Sequence, residues 1–107
     1  MLLFGMQARA DKQADSTRVT PLLNTAKVLE FSSPDSALQL ANLALSLSES
    51  IGYETGIASS NLRIGHIYLT LGNYREAAPY LYKSYTIRIR IGQQKQAVGS
   101  ACLISYV

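Results

Sequence analysis

The sequence predicts an all-α fold built from repeated helix pairs, and three observations carry that expectation. Apolar residues recur every three to four positions through most of the chain. Glycines fall where these periodic stretches stop, at Gly52, Gly72 and Gly92. The stretch Gly56–Gly92 has a weaker copy forty residues earlier and the start of another forty residues later. In that register Ala37 falls on Ala77, Leu47 on Ile87, and Ile51-Gly52 on Ile91-Gly92. Ser60, Ile64 and Ile67 likewise fall on Ser100, Ile104 and Val107.

Taken in order, residues 1–15 join an apolar hexapeptide, Met1–Met6, to the polar stretch Gln7–Asp15. Ala8-Arg9-Ala10 has the small-x-small form of a signal-peptidase site, but the apolar part is short and no positive residue precedes it. The segment reads as a flexible tail or the remnant of an export signal. A repeat domain is expected over 16–107, with units at about 16–52 and 53–92 and a partial one at 93–107. Its first helix carries Val19, Leu22, Leu23, Ala26 and Leu29–Glu30 and runs to about Phe31. Ser16 or Thr17 could cap it, but Pro21 weakens the first turn, so the start is expected near Pro21.

Ser33-Pro34-Asp35 is a helix start: a capping residue, a proline suited to the first turn, and a carboxylate at the positive helix end. Ala37, Leu40, Ala41, Ala44, Leu45, Leu47 and Ile51 form its buried faces. The next helix spans about Gly56 to Leu71 with Ile57, Leu62, Ile64, Ile67, Tyr68 and Leu71 as its apolar set. Asn73-Tyr74-Arg75-Glu76 has the form of a capping box. The helix after it shows one stripe of Ala77, Leu81, Ser84, Ile87 and Ile91, and a second of Ala78, Tyr82, Tyr85 and Ile89. Pro79 removes a hydrogen bond inside it and is expected to bend it. Thr86–Ile91 alternates as a strand would, but the forty-residue register assigns it to helix. A final helix begins at about Lys95.

At 107 residues one domain is expected, and 48% hydrophobic content with 16% charge argues against disorder. The net charge of +3 is uneven: residues 1–54 hold four Lys/Arg against six Asp/Glu, and residues 55–107 hold six against Glu76 alone. A basic half can attract anionic partners, though a solvated helix face is the plainer reading. Cys102 is the single cysteine, which excludes an internal disulfide and a cysteine-based zinc site. No apolar run reaches the roughly 18 residues of a membrane-spanning helix, so no span is expected. A cytoplasmic location is favoured; a periplasmic or exported one follows if a truncated signal precedes residue 11.

The central unit resembles the tetratricopeptide repeat, a helix–turn–helix module. Ile64-Gly65 stands for that family's Leu-Gly, Tyr68 and Ala77 match, Gly72-Asn73-Tyr74 resembles its turn, and Leu81 replaces an aromatic residue. Asn61 stands at the usual Trp place and Ile89 at the usual Pro place, and the period exceeds the usual 34 residues by about six. The repeat is therefore similar to the longer variety of bacterial sensor-kinase and regulator proteins. The resemblance implies a right-handed α-solenoid of about two and a half repeats that serves as a protein–protein interaction scaffold. It implies a fragment of a larger bacterial signalling or assembly protein, or a chain that self-associates through exposed terminal helices. Ala101, Ile104 and Val107 would then leave apolar surface open.

The same resemblance makes the first helix of each unit line a concave groove for a protein or peptide partner. Leu62, Arg63, His66 and Thr70 share the face opposite Ile64 and Tyr68, and Tyr106 is the repeat equivalent of His66. These five are the candidate contacts, and replacing Arg63 and His66 together should weaken capture without unfolding the chain. Relatives that grip a C-terminal carboxylate use Lys and Asn in the first unit, where Leu22 and Ala26 stand here, so that clamp is not expected. No enzyme is expected. His66 is the only histidine, and nothing in the sequence places Cys102 and an acid beside it; the thiol is read as buried. No glycine-rich phosphate loop or paired carboxylates occur, and no cofactor or metal is expected. The alternative function is a nucleic-acid or anionic-surface binder, using the basic C-terminal half and Tyr68, Tyr74, Tyr80, Tyr82 and Tyr85. That alternative is disfavoured because these tyrosines are read as core.

Overall fold

The computed structural model describes residues 17–104. It is all-helical over that range: α1 (residues 17–29), α2 (Pro34–Ile51), α3 (Glu54–Thr70), α4 (Tyr74–Arg90) and α5 (Gln94–Ile104). α3, α4 and α5 each start twenty residues after the helix before, so the forty-residue register is two helices long. Successive helices pack against one another. Thr86–Ile91 is helical up to Arg90, so the register and not the local alternation decides its structure. Expectations for residues 1–16, Tyr106 and Val107 lie outside the described range.

The regular spacing comes from three copies of one turn. Gly52, Gly72 and Gly92 adopt φ of 66°, 79° and 80°, where a side chain would be strained. After each glycine the next amide donates five residues back: Tyr53 to Ser48 at 2.9 Å, Asn73 to Tyr68 at 2.8 Å, Gln93 to Arg88 at 2.7 Å. The glycine amide itself donates three residues back, which completes a Schellman motif. Ser32 holds the corresponding place after α1, and no non-glycine residue has positive φ among the described residues. That connection is closed instead by Ser33 donating to the Leu29 carbonyl at 2.7 Å.

Three local expectations are corrected. Ser33 and Asn73 do occupy N-cap positions, but neither side chain makes a capping hydrogen bond, so the helix starts rest on backbone geometry. The helix expected to begin near Pro21 is already helical at residue 17. Of the seven residues assigned to the buried faces of α2, only Ala37, Ala41 and Ala44 are fully buried, and Ser48 joins them. α4 runs unbroken through Pro79, whose ring is exposed.

The core lies between α1, α2 and α3, where Ala26, Ala37, Ala41, Ile64 and Ile67 are sealed from solvent. Small residues set the helix spacing. A Cβ added at Gly65 would sit 2.6 Å from Leu81 Cδ2, so α3 and α4 meet closely there. Tyr68 and Tyr80 stack beside that contact with ring centroids 5.8 Å apart. The Ser84 and Ser100 hydroxyls meet at 3.0 Å between α4 and α5. Two buried polar side chains are satisfied within their own helix, Ser48 Oγ donating to the Ala44 carbonyl and Asn61 Nδ2 to the Ile57 carbonyl, each at 2.8 Å, whereas the buried Ser60 hydroxyl has no partner. The tyrosine expectation holds only in part. Tyr68 and Tyr80 pack against the core, whereas Tyr74, Tyr82 and Tyr85 are exposed. The α4 stripe Ala77, Leu81, Ser84, Ile87 is buried; in the second stripe Tyr82, Tyr85 and Ile89 are open.

Candidate functional site

Glu30 follows directly on α1 and continues the buried line of Val19 and Ala26 along that helix. A carboxylate at 2% exposure must find cations or donors, because an unpaired buried charge is costly. Two residues of α3 supply them, one turn apart. Arg63 Nη1 donates to Glu30 Oε1 at 3.2 Å, and His66 Nδ1 lies 2.7 Å from the same oxygen. A carboxylate only accepts, so this contact places the imidazole proton on Nδ1 and leaves Nε2 uncommitted to Glu30. Arg63 and His66 keep 21% and 34% of their side chains accessible, so the cluster is closed below and open above.

That opening is a cleft of about 370 Å³ lined by Lys27, Glu30, Phe31, Leu62, Arg63, His66 and Leu103. A second depression of about 360 Å³ adjoins it, shares Phe31, His66 and Leu103, and extends past Thr70 to Leu69 and Tyr74. The end of α1 and one face each of α3 and α5 therefore form a continuous trough. Its polar floor is Glu30 with its two partners. Its walls are aliphatic and aromatic, with Phe31 77% exposed. Lys27 adds a positive charge with no ion pair among the described residues. With Lys27 and Arg63 against Glu30, the cleft carries a net positive charge before His66 is counted.

Four of the five sequence candidates meet here. Leu62, Arg63 and His66 line the first depression, and Thr70 lines the second. Thr70 also donates to the His66 carbonyl at 3.1 Å. Tyr106 lies outside the described residues. Arg63 and His66 are contact candidates that also serve the fold, because both bond the buried Glu30 carboxylate, so their joint replacement bears on stability as well as on capture. The Cys102 expectation is corrected: it is exposed, and Leu103 is the α5 residue that shares the cleft with His66. Glu30, Lys27 and Phe31 went unnoticed as site residues. The available signal was Glu30 on an otherwise apolar helix stripe, since a carboxylate there demands a cation from elsewhere in the chain.

A second buried charge sits at the far end of α4. Arg88 is 6% exposed and donates only to neutral groups, Gln93 Oε1 at 3.1 Å and Ser59 Oγ at 2.9 Å. Its Nε has no partner, and burial lowers its pKa from the ordinary guanidinium value. Gln93 passes the chain on to Thr55 at 3.0 Å. Two other basic residues of α4 are engaged at the surface, Lys83 with Glu49 at 4.0 Å and Arg90 with Glu54.

Among the described residues no three His, Cys, Asp or Glu side chains gather as metal ligands, and no helix is long and apolar enough to cross a membrane. Compared with known proteins, the chain matches no family model, no curated protein and no solved structure.

Proposed function

We propose that the chain is a binding scaffold rather than a catalyst, holding an extended segment of a protein partner in the trough between α1, α3 and α5. The observation that carries this reading is the cleft over Glu30, where a positive, fixed floor meets aliphatic and aromatic walls. Such a surface suits an acidic segment with a Leu- or Phe-type anchor: the anchor fills the space between Phe31 and Leu103 while its carboxylates meet Lys27 and Arg63. The resemblance to long tetratricopeptide repeats fits the same reading, as do the three repeated turns and the burial shared by Ala37 with Ala77 and Ser60 with Ser100. On that resemblance the helix pairs form a solenoid segment, drawn from a larger bacterial signalling or assembly protein.

The test is fluorescence anisotropy with labelled synthetic peptides, one acidic with a central Leu or Phe and one with its acids replaced by Lys. Lys27→Glu and Phe31→Ala are the useful variants, since both positions are exposed and neither neutralises Glu30. The acidic peptide should bind the parent chain, with Phe31→Ala weakening it about tenfold and Lys27→Glu about two- to five-fold. Equal binding of both peptides, or binding indifferent to these variants, would remove the cleft from consideration. The nucleic-acid alternative draws support from exposed Tyr74, Tyr82 and Tyr85, but the engagement of Lys83 and Arg90 by glutamates weakens it.

A further inference from the structure

His66 bonds Glu30 through one ring nitrogen and leaves the other to the trough. Nδ1 lies 2.7 Å from Glu30 Oε1 on the floor, and the side chain keeps 34% of its surface accessible. The two nitrogens of an imidazole point to opposite sides of the ring, so a ring anchored by Nδ1 turns Nε2 away from its anchor. Because a carboxylate only accepts, Nδ1 carries a proton in the neutral and the charged ring alike. The proton that comes and goes is therefore the one on Nε2. Among the described residues Nε2 has no hydrogen-bond partner. With Phe31 and Leu103, His66 is also shared by the two depressions, so Nε2 stands where they join.

The groups around the ring keep their charge where an imidazole changes its own. From α1 and its end the trough receives Lys27 and Glu30, from α3 Arg63, and from α4 Tyr74 at the edge of the adjoining depression. α5 gives only Leu103, and α2 gives no residue to either depression. Ammonium, guanidinium and phenol groups hold one charge state between about pH 6 and 7.5, whereas imidazoles do not. His66 is the single histidine of the chain. With Glu30 set against Lys27 and Arg63, a proton on Nε2 takes the cleft from one net positive charge to two. A carboxylate brought by a partner offsets the added charge and accepts a charge-assisted hydrogen bond from Nε2–H.

We propose that recognition in the trough is proton-coupled: His66 Nε2 takes a proton from solvent as an acidic partner segment binds, and donates a hydrogen bond to a carboxylate of that segment. The proposal rests on the peptide-binding reading of the trough given above. Glu30 is a positioning residue here, since it fixes which nitrogen faces the partner, and Arg63 shares the oxygen that does so. Proton uptake and binding are reciprocal, so whatever favours one favours the other. A partner that prefers the protonated imidazole binds tightest below the pH range in which imidazoles titrate. Its affinity then falls as the pH rises through that range. The trough grips its partner in mildly acidic surroundings and loosens above neutrality.

The test uses the full 107-residue chain and the acidic, leucine-centred peptide, with Asp as its only acid and both termini blocked, at constant ionic strength. By fluorescence anisotropy, affinity should fall about five- to tenfold between about pH 6 and 7.5. His66→Asn keeps an amide donor near the Nδ1 position and removes Nε2, so it should bind equally at the two pH values. Isothermal titration calorimetry of the parent chain at about pH 7, in two buffers of different ionisation enthalpy, should show net proton uptake on binding. That measurement needs no substitution and stands if His66→Asn does not fold. Equal affinity of the parent chain at both pH values, or binding without proton uptake, overturns the proposal and leaves the peptide-binding reading in place. A pH dependence that persists in a natively helical His66→Asn chain assigns the proton to another group and overturns it as well. Absence of binding at both pH values removes the peptide-binding reading, and the proposal with it.

Discussion

Glu30 and Arg88 are both charged and both nearly withdrawn from solvent, yet they are accommodated in opposite ways. Glu30 sits under two cationic or proton-donating side chains thirty-three and thirty-six residues away in sequence, and the cluster opens into a cleft. Arg88 is surrounded by neutral hydroxyl and amide groups, with one donor unmatched. The difference separates two uses of a buried charge. At Glu30, opposite charges fix the side chains that form the floor of a recognition surface. At Arg88, a long aliphatic stem fills the α3–α4–α5 junction, and the head group is tolerated there.

The largest effect should come from stripping Glu30 of both partners. Arg63→Ala with His66→Ala leaves a buried carboxylate uncompensated, and urea unfolding should show a loss of about 3 kcal/mol. A loss below about 1 kcal/mol would mean that water already shares the cluster. Reversing the change is milder. Glu30→Gln keeps an acceptor for His66, and the two partners are accessible enough to be hydrated, so about 1–2 kcal/mol is expected in the same experiment.

Arg88→Met should cost least. It removes a desolvated charge while keeping most of the stem, so stability should stay within about 1 kcal/mol of the parent chain or rise. The direction of the Arg88 shift fits this. A base whose pKa is lowered on folding binds its proton less well in the folded chain, so its charge opposes folding at every pH below its titration range. Arginine titrates far above working pH, so the gain from Arg88→Met should be the same at pH 5 and pH 9. A loss above about 2 kcal/mol would place Arg88 with Glu30 as a structural charge and end the contrast.

The helices were more legible in the sequence than the trough. Pro34, Gly52, Gly72, Asn73 and Gly92 mark elements within a residue or two, because proline at a first turn and glycine at positive φ are backbone requirements that few residues meet. Apolar stripes located Ala37, Ala77 and Leu81 for the same local reason. Ser84 was placed with the buried α4 stripe, but Ser48 and Asn61 were missed as buried residues because a small polar side chain can bury itself by bonding its own helix. Helical spacing gathered Leu62, Arg63, His66 and Thr70, which share one helix face. It could not supply Glu30 and Phe31, which reach that face only through the packing of α1 on α3.

The most direct test of the account is a ¹H–¹⁵N correlation experiment on the full chain titrated with the acidic, leucine-centred peptide. Shifts confined to Lys27, Phe31, Leu62, Arg63, His66 and Leu103, and absent with the lysine-substituted peptide, are the predicted result. Shifts centred instead on Ser59, Arg88 and Gln93 would contradict the assignment of recognition to the Glu30 cluster.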